Sequence, residues 1–247
     1  MLVRELRPRP HSWSQYTVNC RPLTLPFHAL EWSLEWSAYY LSRWALLEVL
    51  EYLSVLSVLF AVVFYFAEAG DRQKQKHYQA WQVINTAQGK GGSGGRIEAL
   101  QELNHDGVPL VGVNAAGAFL QGVQLRGANL LRAGLAAADL RDSNLEAADL
   151  RYANLRSVNF RQAGLRRAQL QDADLSDADL VNADLSGADL TGTNLENADL
   201  RNADLAGVRW KNIGSVARAN IHGVRNAPAG FATWAIQQHA VSIAGGE

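Results

Sequence analysis

The chain has 247 residues, 48% of them hydrophobic and 19% charged, with a formal net charge of −1 at neutral pH. That balance argues against a disordered chain and against a polybasic nucleic-acid binder. Cys20 is the sole cysteine, so no internal disulfide can form.

Residues 1–26 carry Pro8, Pro10, Pro22 and Pro26 among Arg4, Arg7, Arg9 and Arg21, which reads as a mobile tail. No uninterrupted apolar core leads to a small-residue cleavage site, so it is not a usual secretory signal. Residues 27–43 interleave Trp32, Trp36, Tyr39 and Tyr40 with charges, a mixture suited to the headgroup level of a bilayer. The alternative is a soluble amphipathic helix packed on another element.

Residues 44–67, WALLEVLEYLSVLSVLFAVVFYFA, predict one transmembrane helix. At ~1.5 Å per residue, about 23 residues reach roughly 35 Å, enough for a ~30 Å hydrocarbon core with some tilt. Trp44 and Tyr65 sit where interfacial aromatics belong. Glu48 and Glu51, three apart, share a helix face. Either they face a partner helix inside the membrane, or they lie at the headgroup boundary and the span starts near Leu50. Arg72, Lys74 and Lys76 follow the span closely, whereas Arg43 stands alone just before it. The positive-inside rule then places the C-terminal side in the cytoplasm of a single-pass cell-membrane protein.

Residues 68–107 read as a helical, glycine-rich linker ending in a cap. Tyr78, Trp81 and Ile84 recur at i, i+3, i+6 in a helix over 71–88. The run GKGGSGG at 89–95 lacks the Ser or Thr after lysine, and the preceding strand, that a phosphate-binding loop needs, so it reads as a flexible hinge. RIEALQELN, 96–104, gives a short helix with Ile97, Leu100 and Leu103 on one face, suited to cap the element that follows.

That element, 108–226, is organised by a five-residue period. From position 120 to 205 every fifth residue is leucine, save Phe160. Two residues earlier stands Ala, the exceptions being Val123, Ser143, Val158 and Thr193, and the residue between is mostly Asp or Asn. Neither a helix nor a strand keeps every fifth residue on one face. A square coil of four short segments does, each burying its leucine and its small residue. Coils stacked at about 4.8 Å put Leu120, Leu140, Phe160, Leu180 and Leu200 in one column. The small positions exist because four walls converge, where a second large residue would overpack. Outward Asp and Asn suit bonding to nearby backbone amides. Weaker repeats from Leu110 to Trp210 extend the rod to about five coils, roughly 25 Å.

The A-(D/N)-L-x-x pattern over 108–210 resembles the pentapeptide-repeat family. The resemblance implies an all-β solenoid, a right-handed quadrilateral β-helix, here preceded by a transmembrane helix and a helical linker. The segment KHYQAWQVINTAQGKGGSGGRIEALQELN after a membrane helix is similar to a membrane-anchored bacterial subset of that family. The fold carries many roles, so the resemblance is specific for architecture only.

The rod is polarised along its axis. Arg126, Arg132, Arg141, Arg151, Arg156, Arg161, Arg166 and Arg167 outnumber the acids between 126 and 167, whereas 172–204 holds nine acids against Arg201. Arg126, Arg141, Arg151, Arg156, Arg161, Arg166 and Arg167 could face an anionic leaflet, or could be ordinary solvated corners. After Leu205 the pattern breaks: 211–218 lose register, and ANIHGV at 219–224 is one displaced pentad. Residues 227–247 suit a short helical cap. In related soluble members such a helix also builds a dimer interface, so the resemblance carries homodimerisation as one option.

No catalytic site is expected. His11, His28, His77, His105, His222 and His239 are scattered, and no nucleophile motif occurs. Neither cofactor, metal, small-molecule substrate nor nucleic acid is expected as a ligand. Two functions follow. One is a membrane-anchored scaffold binding an unidentified protein, as an accessory subunit of a larger membrane complex. The alternative, which the family resemblance implies, is a DNA-mimic protein that binds or protects topoisomerase, a role suited to a longer and more acidic rod.

Overall fold

The unit of the fold is a five-residue corner. The computed structural model describes residues 7–16, 25–43, 45–86 and 93–244. From Leu110 to Leu205 the leucine column and the small-residue column are buried throughout, Phe160 included. Wall and corner positions are exposed or half-buried, apart from Ser176 and Val181. The inward assignment read from the sequence holds at every pentad of that stretch, and the outward one everywhere but at those two residues.

One pentad accounts for all five of its backbone amides, as a buried wall requires. Leu150 N donates to Gln169 O and Tyr152 N to Gln171 O, both in the following coil. Asn154 N donates to Ala133 O in the preceding coil, and Ala153 N closes the corner onto Leu150 O. Arg151 N has no backbone acceptor and donates to Asp149 Oδ1 at 3.2 Å. The same i→i+2 bond recurs from Asn129, Asp139, Asn144, Asn154, Asn159, Asp174, Asp179, Asp184, Asp189, Asn194, Asp199 and Asp204. The Asp or Asn before most of the leucines is therefore a wall residue that serves the next corner.

The same wall residue is the one that pairs. Asn154 bridges Gly134 and Asp174 in parallel, twenty residues to either side. Among the described residues the solenoid has isolated bridges rather than strands, because a turn every five residues leaves room for one paired residue per wall. The second residue after each leucine has positive φ, as at Gly117 (63°), Ala147 (57°) and Tyr152 (59°). That is the left-handed third place of a type II turn. A side chain there costs about 1–2 kcal/mol against the left-handed backbone, while glycine loses about 0.4–1 kcal/mol through the unfolded chain. Ala147→Gly should therefore stabilise the solenoid, by about 0.5 kcal/mol on balance. A lower thermal midpoint for that variant would contradict the strain at this corner.

Beyond Leu205 the coil continues, and the break of register expected over 211–218 is a shift by one residue. Bridges change from a spacing of twenty, Asp189 to Arg209, to twenty-one, Asn194 to Ser215, and stay there through Asp204 to Arg225. Gly214 is the inserted residue. Gly214 N and Ser215 N both point at Thr193 O, at 2.9 and 3.4 Å, so two residues face one across a β-bulge.

Helices close both ends of the column. At the first, α5 (Arg96–His105) buries Arg96, Ala99, Leu100 and Leu103. Its Gln101 Oε1 accepts the edge amide of Gln124. The last part of α4 (Ala69–Thr86) joins this cap through Ala80 and Ile84, with Trp81 half-buried. Tyr78 is exposed: the buried face runs His77, Ala80, Trp81, Ile84, because seven residues nearly complete two turns and six do not. His77 Nε2 lies 2.7 Å from Asp106 Oδ2, a bond that holds the Asp106 carboxyl below its usual value against the opposing effect of burial. At the other end α6 (Phe231–Gln237) buries Phe231 and Ala235, and Trp210, Phe231 and Trp234 pack edge and face. Val241 then pairs with Asn220.

The chain divides into two units, Met1–Arg72 and Gln73–Glu247, the second holding the solenoid and its caps. The first contains α1 (Trp13–Tyr16), α2 (Leu25–Ser42) and α3 (Ala45–Ala67). Residues 7–16 are not a featureless tail: Trp13 packs edge-on against Trp32, and Trp32 Nε1 donates to His11 O at 2.9 Å. α3 has 23 residues, and every described large apolar side chain on it from Val49 to Phe66 is exposed. Among the described residues no single helix is long and apolar enough to cross a membrane, whereas Tyr52–Ala67 with Gly70–Thr86 passes as a broken pair. The single span expected over 44–67 is thus not shown: α3 begins at Ala45, but its described side chains begin at Val49. Cys20 and most of the glycine run, 87–92, lie outside the described residues.

Candidate functional site

The interior of the solenoid is filled by its leucine and small-residue columns, so the candidate site is its outer surface. The four corner columns follow from the twenty-residue coil. Arg126, Arg166 and Arg167 stand on one corner, Arg132 and Arg151 on the next, Arg156 on the third, and Arg141 and Arg161 on the fourth. The sequence grouped these arginines into one basic half; the coil distributes them around it.

Most of them also have acidic partners. Arg141 grips Asp139 through Nε and Nη2 at 2.8 and 2.6 Å, and Arg151 grips Asp149 in the same way at 2.8 and 2.7 Å. Others reach a following coil: Arg126 to Glu146, Arg156 to Asp174 and Asp177, Arg161 to Asp179, Arg166 to Asp184. Arg132 lies over the Tyr152 ring at 6.0 Å, and Arg167 has no ion pair among the described residues. The axial charge polarity is thus largely spent within the rod. Sequence reading missed this because partners eighteen to twenty-one apart become neighbours only once the coil length is known. Of the carboxylates on the solenoid, all but Asp142, Asp172 and Asp204 lie within 4.0 Å of an arginine.

The Arg141 and Arg151 hydrogen bonds hold the Asp139 and Asp149 carboxyls below their usual range, against partial burial. Because the folded value lies below the unfolded one, this stabilisation is complete above the unfolded carboxylate range. It is lost as pH falls through the lowered folded values. Both pairs are solvent-screened, so each contributes little. Thermal midpoints should fall on acidification below about pH 4, and Asp139→Asn with Asp149→Asn should flatten that fall. An unchanged slope in the double variant would remove these pairs as its source.

Glu48 and Glu51 lie on α3, and their side chains are outside the described residues. Among the described residues no group of His, Cys, Asp and Glu could hold a metal ion.

A capped solenoid of square coils, with its amides satisfied and its charges paired on the outside, defines a repeat scaffold. The chain belongs to the pentapeptide-repeat family, matching the Pentapeptide repeats in eight copies over 106–146, 132–167 and 168–207. It is a pentapeptide-repeat scaffold protein with the β-helix of that family.

Solved relatives include a pentapeptide repeat protein, Rfr23, from the cyanobacterium Cyanothece 51142. It is 33% identical over 38% of this chain and 62% of its own, with a TM-score of 0.33. One from the Arabidopsis thaliana thylakoid lumen is 31% identical over 44% and 69%, with a TM-score of 0.28. Another from Nostoc PCC 7120 is 33% identical over 47% and 81%, with a TM-score of 0.20. The chain thus spans less than two thirds of the cyanobacterial Rfr23. No curated protein matches the chain in sequence.

Proposed function

We propose that the protein is a membrane-anchored, non-catalytic scaffold. In this reading α3 crosses the bilayer once, and the solenoid, on the cytoplasmic side, binds a protein subunit of a larger membrane complex. The observation that carries the reading is α3 itself. Its described large apolar side chains are exposed around the whole helix, with Tyr52 at 74% and Phe66 at 69%. In water that surface far exceeds what a monomer tolerates; in hydrocarbon it is the native environment. The Ser57 hydroxyl is satisfied internally, donating to Ser54 O at 2.7 Å, as apolar surroundings demand. Arg72, past the end of the helix, lies over the Tyr65 ring at 4.4 Å and beside Glu68.

Alkaline carbonate extraction tests the anchor. The full chain should remain in the membrane pellet, and a chain beginning at Gln73 should be released. A defined membrane complex should co-purify with the full chain after detergent solubilisation. Release of the full chain, or its recovery with gyrase in the soluble fraction, would overturn the reading.

A further inference from the structure

The first unit presents two unlike faces on one helix. On α2, Phe27, Leu30, Leu34 and Leu41 fall within a narrow stripe at helical spacing, and all four are exposed. On the opposite side Trp32, Trp36, Tyr39 and Arg43 line up. Their rings contact one another at 5.7–6.1 Å, and the Arg43 guanidinium sits over Tyr39 at 4.7 Å. Residues 7–11 fold back over this aromatic side, held by the Trp32-to-His11 bond and by Arg9 over the Trp36 ring at 5.7 Å. The result is a groove of about 410 Å³ lined by Arg7, Pro8, Arg9, Pro10, His11 and Glu35.

Neither Arg7 nor Arg9 has a carboxylate partner among the described residues, in contrast to the arginines of the solenoid. Among the described residues two guanidinium groups stand beside a single acid, which leaves the groove cationic, and the prolines stiffen the backbone that carries them. A guanidinium fork matches phosphate oxygens. An apolar stripe on one side of a helix with arginines on the other is the pattern of a helix lying in the headgroup plane, and tryptophan is at home at that level.

We propose that α2 and residues 7–16 form an interfacial platform, with its apolar stripe toward the hydrocarbon and the Arg7–Arg9 groove holding the phosphate of an anionic phospholipid. The inference rests on the membrane reading above and adds a lipid class to it. Lipid is the occupant because the groove, the aromatic cluster and the apolar stripe belong to the same unit as the all-round apolar α3.

Tryptophan quenching in reconstituted vesicles tests it. The full chain is placed in phosphatidylcholine vesicles carrying a minor fraction of either brominated phosphatidylglycerol or brominated phosphatidylcholine. Each arginine near an anionic surface favours association about fivefold. Quenching by the anionic lipid should therefore dominate, should weaken at high salt, and should lose its preference in Arg7→Gln with Arg9→Gln. Arg7→Lys with Arg9→Lys should retain the preference, since the charges remain. Equal quenching by the two lipids would overturn the groove assignment and leave the span standing. So would a preference that survives the double glutamine variant. No quenching by either lipid would overturn both readings together.

Discussion

Leu180→Asp should leave the solenoid unfolded under conditions where the wild-type chain melts cooperatively. Leu180 is fully buried in the column shared with Phe160 and Leu200. Removing a buried leucine costs about 2–5 kcal/mol. Placing an unpaired carboxylate in the same dry interior adds several more, since no donor inside the column can reach it. Together these approach the whole stability of a domain, about 5–15 kcal/mol. Each coil is held only by its neighbours, so a broken coil also exposes the two beside it. The neighbouring Asp179→Ser should be tolerated within about 1 kcal/mol. Asp179 Oδ1 accepts the Val181 amide at 3.1 Å, and Ser215 Oγ already serves the Ala217 amide in this way at 3.3 Å. Circular dichroism melts of the two variants decide the matter, and equal midpoints would refute the inward–outward arrangement.

Gly214→Ala should be the most damaging glycine substitution, although Gly214 shows no positive φ. A Cβ there would lie 2.7 Å from Gly192 O and 3.2 Å from Thr193 O, both backbone atoms that cannot swing aside. The bulge would have to open, at about 1–3 kcal/mol, lowering the thermal midpoint by roughly 2–10 °C for a unit of this size. Loss should begin at the C-terminal end, where the Trp210, Phe231 and Trp234 cluster reports through tryptophan fluorescence. Gly134→Ala is the control: its Cβ would come no nearer than 3.4 Å to anything, the Asn114 side chain being first, at a wall position most often occupied by Asp or Asn. If Gly134→Ala destabilised as much as Gly214→Ala, the bulge would not be the cause.

Much of the second unit was legible in the sequence, because a five-residue burial pattern admits so few backbones. The leucine and small-residue columns, the coil of four pentads and the caps at 96–104 and 227–247 all follow from which residues must leave water. The helix preceding the cap was placed correctly, but its buried face was misjudged at Tyr78, since spacings of six drift away from one face. The displaced pentad at 219–224 was visible as a shift of register, but not the bulge at Gly214 that produces it, because an inserted residue leaves no mark of where the backbone absorbs it. In the first unit, the apolar length of α3 was plain, whereas the packing of residues 7–16 on Trp32 and Trp36 left no periodic trace.

The sequence alone determined the interior of this protein. Hydrophobic burial is local in pattern and repeats wherever the period repeats, so Leu120 and Leu200 could be given the same place without coordinates. The tertiary structure alone decided the exterior and its function-bearing surfaces. Whether Arg161 is an available cation or the partner of Asp179 depends on a distance of 3.3 Å between residues eighteen apart in the chain. Whether Arg7 and Arg9 share a groove depends on how an irregular segment folds over a tryptophan. Charge pairing acts over a few ångströms of space, and only the folded chain fixes which charges come that close.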